Sequence, residues 1–92
     1  MSLRNIEIGQ LVKSAAGRDT DHTYVVVGFQ KPHFLLLVDG RDRGVAKPKK
    51  KNIRHLNVLN SIAKDVADKL KTGVKVTDEH IRYAITSLCI PD

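Results

Sequence analysis

The sequence predicts a mainly β domain with an α-helical tail, and three observations carry that prediction. Short apolar runs rich in β-branched and aromatic residues fill the first part of the chain. An apolar period of helical spacing replaces them near residue 57. The 92 residues are 41% apolar, enough for one small domain and not for two.

Taken in order, QLVKS at Gln10–Ser14 suits a first strand and leads into a polar loop over residues 17–22. YVVVGF at residues 24–29 and FLLLV at Phe34–Val38 read as a hairpin around Gln30, Lys31, Pro32 and His33. Pro32 fits the second position of a type I turn starting at Lys31, because its fixed φ suits that site. Gly28, inside a strand run, marks a bulge or sharp bend, and Asp39-Gly40 ends the second strand of the pair. Val45-Ala46 and residues 53–58 are weaker strand candidates.

Leu59, Ile62, Ala63, Val66 and Leu70 form one helical stripe, which Asn60 or Ser61 can cap and Gly73 can end in the left-handed conformation. A second helix is expected from Thr77, with Asp78 and Glu79 against the positive end of its dipole. Ile81, Ala84 or Ile85, and Leu88 form its apolar side. The tail is a short helical pair of zero net charge.

Packing follows from one irregularity. A strand with one wet face alternates apolar and polar residues, yet Val25-Val26-Val27 and Leu35-Leu36-Leu37-Val38 do not. Both faces of the hairpin are therefore expected to be covered. The first helix's stripe is expected on the outer face, with a partner or second copy, and hence a homo-oligomer, as the competing cover.

The charge is local. The chain carries +6, and residues 41–55 hold all of that excess, with seven cations (Arg41, Arg43, Lys47, Lys49, Lys50, Lys51, Arg54) against Asp42. A solubility device would be spread over the surface, so a block this compact points to a polyanion or an anionic surface. Pro48 interrupts the block, which does not suit a basic amphipathic membrane helix. No apolar run is long enough to span a bilayer and none resembles a signal peptide, so a cytoplasmic protein is expected. A single cysteine, Cys89, excludes an intramolecular disulfide and suits a reducing compartment.

Catalytic chemistry finds little support. His22, His33, His55 and His80 are scattered without metal-ligand spacing, and Cys89 has no cations beside it in sequence to lower its pKa. Asp19 with Asp21, or Asp39 with Asp42, are better explained as loop caps than as acid–base pairs. The glycines match no phosphate-cradling motif. The expectation is a protein that is not an enzyme and carries no cofactor or metal. Of the aromatics, Tyr24, Phe29 and Phe34 are assigned to the core and only Tyr83 is left over, which argues against base stacking. Lysines as point charges, and Arg41, Arg43 and Arg54 as forks, suit phosphate and shape recognition of folded RNA. An adaptor that binds an acidic protein is the second reading.

Residues 8–58 resemble KOW-domain RNA-binding proteins of bacterial type, related to the eukaryotic and archaeal large-subunit ribosomal proteins fourteen, six and twenty-seven. The matching stretches are IGQLVKSAAGRD from Ile8, YVVVG from Tyr24, VDGRDR from Val38 and KPKKKNIRHL from Lys47. The resemblance implies a small SH3-like β-barrel over residues 4–58, with residues 59–92 as a helical extension, and contact with ribosomal or other structured RNA, including on the ribosome. Carried over by position, its basic sites are Lys13, Arg18, Arg41, Arg43, Lys47, Lys49, Lys50, Lys51 and His55, and the charge block adds Arg54. Where the family carries Lys-Gly in its first loop, this chain has Thr20-Asp21. Which parity of the last basic segment faces outward stays open: Lys49, Lys51 and His55, or Lys50 and Arg54.

Overall fold

The computed structural model describes residues 6–88. Cys89 and the outer ends of the expected barrel and tail lie outside them. Five antiparallel strands form one sheet in the order β4-β3-β2-β1-β5: β1 Gln10–Ser14, β2 Thr23–Gln30, β3 Phe34–Val38, β4 Lys49–Asn52 and β5 Leu56–Ile62. A single 3-10 turn at Ile53–His55 links β4 to β5, and the helices α1 Lys64–Thr72 and α2 Asp78–Leu88 follow.

The hairpin forms where its apolar runs place it, with Val25 opposite Val38 and Val26 opposite Leu37. Beyond that the register shifts before Gly28 pairs with Leu36, which is the bulge expected at this glycine. A turn over residues 31–33 joins the two strands, and its Lys31–Pro32 peptide is cis. Phe29, assigned to the core from sequence, is 42% exposed at the far end of the strand.

Both faces of the sheet are buried. One face packs Val12, Tyr24, Val26, Leu35 and Leu37 with Ile6, Ile53 and Leu56. On the other, Leu11, Val25 and Val38 meet Ala63, Val66, Val76, Ile81 and Ala84 from the helical tail. The unbroken apolar runs thus record two cores separated by one sheet. It is α2, however, that lies against β2, while the first helix contributes chiefly Val66. No helix among the described residues is long and apolar enough to cross a membrane.

The boundary between sheet and helices differs from the expectation. Residues 59–62 continue β5, pairing Val58 with Val12 and Ile62 with Gln10, and α1 begins only after Ala63 without a side-chain cap. Leu59, Ile62 and Ala63 fit a helical stripe equally well, but β1 has an unpaired edge whose amides and carbonyls need partners. The buried Gln10 amide reinforces the strand by donating to the Leu59 carbonyl at 2.8 Å. Strand pairing also moves upstream: Val45-Ala46 is a turn, and the lysine triplet itself is β4.

Two local stop and start signals act as expected. Gly73 ends α1 at φ 77°, and the Thr77 hydroxyl accepts the His80 amide at 3.2 Å at the start of α2. The Thr77 amide donates in turn to His80 Nδ1, completing a reciprocal cap. Gly9, at φ 89°, is required by close packing, since a Cβ there would lie 2.8 Å from the Ala63 carbonyl oxygen.

Ile81 is fully buried between α2 and the sheet. Truncation to alanine is expected to cost about 3 kcal/mol. Chemical denaturation of Ile81→Ala checks this, and a loss below about 1 kcal/mol would show that the helices add little to the stability of the sheet.

Candidate functional site

The topology gathers the polar and charged residues at one end of the sheet. Antiparallel pairing puts the end of β1, the start of β2, the end of β3 and the start of β4 together, so the loops over residues 15–22 and 39–48 are neighbours. The start of β5 joins them, because the Ala15 amide donates to the His55 carbonyl at 2.8 Å.

Asp19 is the centre of this end. Its Oδ2 accepts from Lys49 Nζ at 2.6 Å and from the Tyr24 hydroxyl at 2.8 Å. Its Oδ1 accepts from Lys51 Nζ and from Ser14 Oγ, both at 2.8 Å. Lys51 also donates to the Ala16 carbonyl at 3.0 Å. Burial opposes ionisation of Asp19, but the four donors outweigh it and hold the carboxyl far below the usual carboxylate range. Tyr24 moves the other way. Burial, its bond to Asp19 and the charges of Asp19 and Asp39 raise the phenol well above its ordinary value, against a smaller opposing effect of Arg43.

This settles the parity left open by the sequence. Register with β3 places Lys51 opposite Leu35 and Lys49 opposite Leu37, so both lysines point to the face of Tyr24 and Val26. Lys50 points to the other face, its Nζ 4.5 Å from the centre of the Phe34 ring, and is exposed. The side chain of Lys51 is 10% exposed and that of Lys49 26%, so both are committed to Asp19. Lys13, in β1, is half-buried, while Arg18, Arg41, Arg43, Lys47, Arg54 and His55 are exposed on the loops and the 3-10 turn.

A second carboxylate organises the loop after β3. Asp39 is buried, and its Oδ1 accepts the amides of Arg41 and Arg43 at 2.9 Å, which folds the Arg-Asp-Arg segment back on itself. Its Oδ2 meets His22 Nε2 at 2.6 Å. Burial again opposes ionisation, and the two amides with His22 overcome it, keeping Asp39 below the usual range. The His22 ring stacks edge-on to Tyr24 at 4.8 Å, joining the two carboxylate clusters.

The helical tail braces the same loop. Asp78, at the start of α2, accepts the Val45 amide at 2.7 Å, and Arg82 donates to the Gly40 carbonyl at 2.6 Å. Gly40 sits at φ 78° so close to α2 that a Cβ would lie 2.5 Å from the Asp78 carbonyl oxygen. Asp39 is a loop cap as expected, but Asp19 is the hub of an ion network. Sequence reading passed over Ser14, Asp19, His22 and Tyr24 because their partners are remote, Lys49 being 30 positions from Asp19. The one signal is that Ser14 and Tyr24 put polar groups at strand positions that continue an inward parity; Asp19 and His22 lie in the loop between those strands.

The two depressed carboxyls fix the pH dependence of stability. A group with a lowered folded pKa stabilises the fold fully above its unfolded value, near 4, and the contribution fades as pH falls below that. Unfolding free energy is expected to drop as pH falls from about 4. Asp19→Asn should lose about 2 kcal/mol at neutral pH by stranding Lys51, and its acid limb should be shallower than that of the wild-type chain. Urea melts at a series of pH values check both, and parallel curves would remove Asp19 from this role. No protein-family model matches the chain, and no match is found among curated proteins.

Proposed function

We propose that the chain is an RNA-binding protein that contacts structured RNA by its phosphates and shape. The observation that carries this reading is the exposed cation set Arg18, Arg41, Arg43 and Lys47, displayed by loops that the strand topology brings to one end, with Arg54 exposed on the 3-10 turn. Lys50 extends the set onto the outer face of β4. The arginine loop is held at both sides, by Asp39 within and by α2 outside, which lowers the ordering cost of binding. The strand order, with a 3-10 turn linking the two edge strands, supports an SH3-like barrel of KOW type. With the motif stretches described above, it also supports ribosomal RNA as the class of target and the cytoplasm as the setting.

Lys49 and Lys51 take a structural place in this reading, because a phosphate would have to displace Asp19 from them. Removing the whole lysine triplet therefore mixes loss of fold with loss of contact. The cleaner variant is Arg41→Ala with Arg43→Ala, whose amides still reach Asp39.

A protein-interaction role is the second reading. It is favoured by a groove of about 680 Å³ between α1 and α2, lined by Val66, Tyr83, Ala84 and Leu88. Its rim sets Lys64 and Lys69 against Asp65 and Glu79, so charge at the groove gives an acidic partner no advantage.

If four to six exposed cations meet phosphates, log affinity against log salt is expected to fall with a slope of roughly −3 to −5. Filter binding of a structured ribosomal RNA fragment at several salt concentrations measures the slope. The double arginine variant should weaken binding and flatten the slope by one to two, by the same estimate. Unchanged binding overturns the assignment of this surface, and a protein free of copurifying RNA that also fails to bind in the assay turns the reading toward the adaptor.

A further inference from the structure

Every cation at the proposed interface is only a hydrogen-bond donor, and donors suit phosphate oxygens on RNA and DNA alike. The 2′-hydroxyl distinguishes the two, and holding it by its proton requires an acceptor. His22, at the end of the sheet with the arginine loop, is held so as to supply it. His22 is half-exposed, its Nε2 lies 2.6 Å from Asp39 Oδ2, and its Nδ1 has no hydrogen bond among the described residues. Asp39 accepts two backbone amides as well and carries no proton to donate. The His22–Asp39 bond therefore needs the proton on Nε2, which leaves Nδ1 of the neutral ring as an acceptor. The edge contact with Tyr24 fixes the ring from the other side.

We infer that His22 is a ligand-facing residue whose Nδ1 accepts a ribose 2′-hydroxyl, and that Asp39 is the positioning residue that sets its tautomer. The inference rests on the RNA-binding reading and deepens it: cations supply affinity, and His22 supplies the preference for ribose. Exposed Asp21 and Asp42 are also acceptors, but as carboxylates they repel the neighbouring phosphates, whereas an imidazole carries no negative charge.

Two variants separate this role from a purely structural one. His22→Phe keeps an aromatic ring against Tyr24 and removes both ring nitrogens, while Asp39 retains the Arg41 and Arg43 amides. Asp39→Asn keeps an acceptor for the Arg41 and Arg43 amides but presents an NH₂ to the ring, forcing the proton onto Nδ1 and turning the acceptor into a donor. The probes are an RNA hairpin and the same hairpin carrying 2′-fluoro groups, which keeps the A-form shape and phosphates but has no hydroxyl proton. The wild-type chain should bind the ribose hairpin about fivefold more tightly than the fluoro hairpin, the loss of roughly one neutral hydrogen bond. In His22→Phe that ratio should fall to about one, through weaker ribose binding with fluoro binding unchanged, and in Asp39→Asn it should fall while thermal unfolding stays cooperative. A wild-type ratio of one, or a ratio that survives in His22→Phe, overturns the inference while leaving RNA binding intact. Binding of neither hairpin overturns the RNA reading along with it.

Discussion

The ionised Asp19 carboxylate is the constraint on which this end of the molecule depends. Four donors from three strands converge on it: Ser14 from β1, Tyr24 from β2, and Lys49 and Lys51 from β4. An edge strand of four residues, three of them lysines, has little apolar surface of its own to hold it. Its backbone pairs with β3 on one side, and its inward lysines share one counter-charge supplied from the loop after β1. The same charge pins that loop, so one carboxylate fixes both a strand and the loop that faces it. Lysines along an edge also discourage pairing with another sheet, and outward Lys50, over the Phe34 ring, serves that purpose.

The second dependence runs through the tail. The helices cover the sheet face that the non-alternating runs leave apolar, and they also touch the arginine loop directly through Asp78 and Arg82. Stability and site geometry are therefore coupled: whatever loosens α2 also loosens the loop after β3. A fully buried Ile81 in α2 next to Val25 and Val38 makes the docking of the helix as firm as the core itself.

What could be read from the sequence and what could not divide along a physical line. The hairpin, the Gly28 bulge, the Gly73 stop and the Thr77 cap are set by residues within a few positions of one another, and their chemistry is visible in the chain. The double-sided burial was legible for the same reason, since Leu35-Leu36-Leu37 must place apolar groups on both faces of any strand. The strand at residues 59–62 was not, because Leu59, Ile62 and Ala63 are spaced as on a helix and the choice lies with the free edge of β1, remote in sequence. The site was legible as a charge block but not as a division of labour. Which lysines turn inward is decided by register against β3, and charge counts carry no register.

That division bears on what a basic protein can recognise. Cations alone give an affinity that ionic strength controls and that is indifferent to the sugar. Here the inward lysines share the Asp19 carboxylate, the arginines and outward Lys50 stay exposed, and Asp39 holds both the arginine loop and the imidazole. One buried carboxylate thus sets the position of the donors and the tautomer of the acceptor together. In the proposed reading, discrimination for ribose would then be as rigid as the turn that positions the charges, because the same two oxygens determine both.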